Sequence, residues 1–155
     1  MEQKSFVKRT IVPVLLAILL VTAIQLMPHR LPEAILPDAA ADFDCQLSLV
    51  EEGTVTQTVT LTAEESAELR AGLQAARVQN RGQAGDITAR HPLLYQLLFY
   101  PAEDGKVYEV FLDPEGRFFT NNKFYKIQGT KPQAIAETLQ GYLDASASAT
   151  GENTP

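Results

Sequence analysis

The chain has 155 residues, room for one domain of ordinary size rather than two. At 45% apolar and 21% charged it has the composition of a globular protein, which excludes wholesale disorder. From Met27 onward 10 Lys and Arg stand against 18 Asp and Glu, a balance of −8; a body that acidic repels nucleic acid phosphates and anionic lipid headgroups, so neither is a natural bulk partner.

Residues 1–10 carry Lys4, Lys8 and Arg9 against Glu2. The apolar run Ile11–Met27 follows, broken only by Pro13, Thr22 and Gln25. Its 17 residues are near the lower limit for a helix crossing a hydrocarbon core of about 30 Å. Pro13 falls in the first turn, where its missing N–H costs little. The cations precede the run, and no Lys recurs until Lys106, which puts the N-terminus in the cytoplasm and the rest outside. The expectation is a single-pass signal-anchor helix over 11–27. The alternative is a signal peptide cleaved after Ala23, within Val21-Thr22-Ala23, which would release a secreted protein. Against cleavage, the mature chain would begin with Ile24-Gln25-Leu26-Met27, still inside the run.

Residues 28–42, with Pro28, Pro32 and Pro37, read as an extracytoplasmic tether. Cys45 is the only cysteine, so no disulfide forms within the chain. It lies too far beyond the apolar run to carry a lipid, and it reads as a half-buried thiol on a strand, with an intermolecular disulfide as the alternative. The sequence contains no N-x-[ST] sequon, consistent with a bacterial cell envelope protein.

The folded unit is expected over 43–144. Cys45, Leu47 and Leu49 alternate with polar residues, Glu51-Glu52-Gly53 turns the chain, and Val55, Gln57, Val59 and Leu61 share a face: a β-hairpin. Thr62-Ala63-Glu64-Glu65 fits a capping box, and Leu69, Leu73 and Ala76 form a stripe, predicting a helix over about 63–78. A loop spans Gln79–His91. The run Leu93–Tyr100 is apolar on both faces, as in a covered central strand. Lys106–Leu112 returns, Asp113-Pro114-Glu115-Gly116 suits a type I turn, and short strands follow at Arg117–Thr120 and Phe124–Ile127. A second capping-box pattern at Thr130–Gln133 opens a helix with Ile135, Leu139, Tyr142 and Leu143 on one face. Residues 145–155 read as a disordered polar tail. The predicted fold is α+β: an N-terminal transmembrane helix, then β-β-α-β-β-β-β-α, a mostly antiparallel sheet with two helices on one face.

Catalytic constellations are missing from the pattern. There is no Ser elbow for a His base, no metal-ligand spacing, no EF-hand loop and no Gly-rich nucleotide motif. No catalytic, cofactor-binding or metal residues are assigned, and no cofactor is expected. The close carboxylate pairs, Glu64-Glu65 and Glu103-Asp104, have bland explanations in a helix turn and a hairpin turn. Two clusters stand out. Arg77, Arg81, Arg90 and His91 surround the glycines of the 79–91 loop as a candidate anion-binding set, because guanidinium forks match carboxylates and phosphates. Val107, Phe111 and Phe119 should lie on the sheet face that two helices leave open, a candidate partner or self-association surface. The layout resembles that of small single-span bacterial envelope proteins. The expected function is a membrane-anchored, extracytoplasmic, non-enzymatic module for a protein partner or envelope ligand. Its rivals are a carboxylate-dependent enzyme acting on cell wall or peptides, and a structural subunit of a membrane complex.

Overall fold

The hairpin turn at Glu51–Thr54 places Glu52 at φ 49° and Gly53 at φ 79°, the two positive dihedrals a two-residue type I′ turn requires. Asn121 (φ 48°) and Asn122 (φ 59°) build a second such turn between Thr120 and Lys123. A computed structural model describes residues 13–24, 27–30, 43–101, 107–129 and 131–151. Within these, α1 covers residues 13–24, β1 His29–Arg30, β2 Phe43–Glu51, β3 Thr54–Thr60 and α2 Ala63–Ala75. Then come β4 Arg77–Gln83, β5 Leu93–Pro101, β6 Tyr108–Leu112, β7 Arg117–Thr120, β8 Lys123–Gln128 and α3 Ala134–Gly151.

All eight strands join one antiparallel sheet in the order β1-β4-β8-β7-β6-β5-β2-β3. The expected α+β class therefore holds, with two strands more than the sequence pattern gave. Helix α2 starts beside the β3 edge and delivers the chain to β4 near the opposite edge. Its N-terminus carries the expected capping box, with Thr62 Oγ1 accepting from the Glu65 N–H at 3.2 Å and Glu65 Oε2 accepting from the Thr62 N–H at 2.8 Å.

One face of the sheet is the main core. Cys45, Leu47, Tyr95, Leu97, Phe99, Val110, Leu112, Phe118, Tyr125 and Ile127 point toward Leu69 and Leu73 of α2 and Ala136, Leu139 and Leu143 of α3. The other face carries a smaller core of Val50, Leu94 and Phe119, packed by Ala84, Ile87, Phe111 and Phe124. The segment after β4 lies over that second face, so Leu94, fully buried, is covered by a loop where α2 and α3 do not reach. This accounts for an apolar β5 in a sheet with helices on one side only.

Three expectations are corrected. Helix α2 ends at Ala75 rather than 78, because Ala76 is extended (φ −72°, ψ 139°) and Val78 is fully buried in β4. The 79–91 loop is shorter, since Gln79–Gln83 pair with β8 around a bulge between Asn80 and Gly82. Helix α3 runs on to Gly151, through part of the segment expected as a tail. The side-chain amide of Gln57 helps hold it there, donating to Leu143 O at 2.7 Å and to Ser146 Oγ at 3.1 Å. Residues 1–10, 31–42 and 152–155 lie outside the described residues, as do Glu103, Asp104 and Thr130. Among the described residues no helix is long and apolar enough to cross a membrane.

A candidate cationic groove on the open sheet face

Register brings together residues that the sequence keeps apart. Arg117 of β7 stands directly opposite Lys126 of β8, and Lys126 opposite Gln79 of β4. Arg81 is the extra residue of the β4 bulge, whose Gly82 N–H is held by Asn80 Oδ1 at 2.8 Å. Arg81, Arg117 and Lys126 line a shallow groove of about 630 Å³ together with Glu115, Phe124, Pro132 and Gln133. Arg117 is already paired with Glu115 and with the buried Asp113, so Arg81 and Lys126 are the cations left to attract an anion there.

Beneath the groove wall lies Asp113, 2% exposed, at the end of β6. Its Oδ1 accepts the Glu115 N–H at 3.0 Å and the Arg117 N–H at 2.9 Å. Its Oδ2 accepts from Arg117 Nε and lies 3.3 Å from His91 Nδ1. Arg117 in turn reaches Glu115 Oε2 at 2.9 Å. The Asp113 carboxylate is thus surrounded by donors, as a buried charge must be. The turn it closes is the expected one, with the Gly116 N–H donating to Asp113 O at 3.0 Å. Gly116 sits at φ +79°, and a Cβ there would meet Pro132 O at 2.1 Å, so glycine is required twice over.

The predicted anion set is divided. Arg81 lines the groove; Arg77 is exposed at the start of β4, outside it. Arg90 is exposed on the loop, its guanidinium beside Gly85. His91 turns inward to Asp113 and tilts over Phe119 at 4.8 Å between ring centroids. An Asp–His pair is two thirds of a nucleophile-activating arrangement, but among the described residues no hydroxyl or thiol hydrogen-bonds His91 Nε2. Arg117 and Lys126 were missed because only the β7–β8–β4 register assembles them.

The predicted partner surface does not form one exposed patch. Val107 is 46% exposed just before β6, Phe111 is half-buried, and Phe119 is 4% exposed, stacked on Phe124 at 5.4 Å beneath the loop. Glu64 is exposed, and Glu65 is engaged in the α2 cap. Among the described residues no cluster of three or more His, Cys, Asp or Glu is arranged to hold a metal ion.

Fold and groove together define a two-layer α+β domain with a cation-lined recess. No protein-family model matches the chain, and no curated protein or solved structure matches it.

Proposed function

We propose that the protein is a single-pass, membrane-anchored module whose domain lies outside the cytoplasm and binds an envelope ligand or protein partner without catalysing a reaction. The observation that carries this is α1. Val14, Leu15, Leu16, Ile18, Leu19, Leu20, Val21 and Ile24 are each at least 50% exposed. Burying an aliphatic side chain is worth about 1.5–3 kcal/mol, so leaving eight in water forgoes on the order of 10 kcal/mol or more. A hydrocarbon phase supplies that burial.

Orientation follows from charge. Lys4, Lys8 and Arg9 precede the apolar run, while Arg30 is the single Lys or Arg in the twenty residues after it. Cations stay inside, which sends the domain out. The whole apolar run is near the shorter limit for a span, so it would stand close to the membrane normal. The non-enzymatic reading draws support from Asp113, whose lone pairs are committed to backbone and Arg117 donors.

Two experiments test this. Alkaline carbonate should leave the chain in the membrane pellet, and crosslinking in native membranes should give a reproducible adduct. Release by carbonate, or the recovery of no reproducible adduct, would contradict the reading.

A further inference from the structure

Charge is segregated across the sheet. The four contiguous strands β1, β4, β8 and β7 carry Arg30, Arg77, Arg81, Arg117, Lys123 and Lys126 and no Asp or Glu. The other four, β6, β5, β2 and β3, carry Asp44, Glu51 and Glu109 and no Lys or Arg. A body with a strongly negative balance thus keeps one positive edge. Arg30 stands directly opposite Arg77, and Arg117 directly opposite Lys126. Cross-strand partners share a face, and register puts both pairs on the face that α2 and α3 leave open. Arg30, Arg77, Arg81, Lys123 and Lys126 are exposed and form no ion pair among the described residues.

The chain fixes where this edge can go. Helix α1 is described to residue 24 and β1 begins at His29, so five steps separate them. Five residues reach at most about 18 Å when fully extended. Strand β1 pairs with β4, His29 opposite Val78 and Arg30 opposite Arg77. If α1 ends at a membrane surface, the cationic edge stays within that reach whatever the lipid, while the tether alone leaves the domain free to tilt and bring the acidic strands near. We propose that this cationic half of the sheet rests on anionic lipid headgroups of the leaflet from which α1 emerges. The proposal rests on the anchor reading above. It identifies the occupant of the cationic face by charge complementarity and tether length, and it orients the domain, with β3 and the acidic strands pointing away from the bilayer.

The full chain, reconstituted in nanodiscs that contain a trace of gadolinium-chelating lipid, tests this by nuclear magnetic resonance. In discs with equimolar phosphatidylglycerol and phosphatidylcholine, amide signals of Gln79 and Asn80 should be attenuated several-fold more than those of Thr56 and Thr58. Discs of phosphatidylcholine alone should show a clearly smaller contrast, the part that the tether alone produces, and an equal contrast in both kinds of disc overturns the docking. The variant R77Q/R81Q/K126Q changes only exposed side chains and should keep its amide spectrum. Each charge removed should lower the docked-to-free ratio roughly fivefold, from about 1 kcal/mol per cation at an anionic surface. Raising sodium chloride on the unaltered chain should act the same way, through screening. Equal attenuation of both edges in anionic discs that retain the protein overturns the docking alone. A fall of the contrast to its phosphatidylcholine level on adding inorganic phosphate at constant ionic strength also overturns it, by assigning the cations to a free anion. A chain that elutes apart from the discs overturns the anchor reading and the docking with it.

Discussion

Asp113 shows how one buried side chain organises its surroundings. It ties the β6–β7 turn, orients Arg117 at the groove and draws His91 off the loop surface. Asp113→Ala removes an acceptor for two backbone N–H groups and a guanidinium, and the expected cost is about 3 kcal/mol, seen as a lower urea midpoint. A loss well under about 1 kcal/mol would mean that water replaces the carboxylate easily. Cys45 makes a second prediction. Burial pushes its thiol from 9.0 to about 12, and burial also raises Tyr95, Tyr125 and Tyr142; for Tyr142 the hydrogen bond to Glu68 adds to the shift. The unfolded chain releases these protons first, so their contribution is complete below about pH 9 and declines as pH rises towards about 12. Urea midpoints should fall across that window. In the folded protein Cys45 should resist alkylation at pH values near 8 and react once the chain is denatured.

The helices and the first hairpin were legible in the sequence because local chemistry specifies them. Thr62 and Glu65 cap α2, and Glu52-Gly53 set the turn before β3. Strand β4 was not legible. Its sequence, Arg77–Gln83, buries only Val78, so it shows no alternation, and it is a strand because β8 and β1 pair with it. The same cause hid two thirds of the groove: Arg81 drew notice beside a glycine, whereas Arg117 and Lys126 meet it only through long-range register. The exposed face was misjudged because loop folding, rather than strand periodicity, decides that Phe119 is covered. Helix α2 is also held below its optimum. Gly72 sits in its interior with open space where a Cβ would go. Gly72→Ala should raise stability by about 0.5–1 kcal/mol, measured as a higher urea midpoint. A decrease would mean that the helix face there is occupied.

At the scale of the molecule, an apolar helix whose aliphatic side chains are exposed among the described residues precedes a sheet that divides its charge between two halves. Those features are the ones the proposed arrangement uses: α1 in a bilayer and the domain beyond it, held by its positive edge. Everything functional in the account depends on which side of that bilayer the domain occupies. The direct measurement is a pair of fusions after Pro155, one to alkaline phosphatase and one to green fluorescent protein exported by the general secretory route. An active phosphatase with a dark fluorescent protein is the predicted result. A bright fluorescent protein with an inactive phosphatase would put the domain in the cytoplasm and contradict the account.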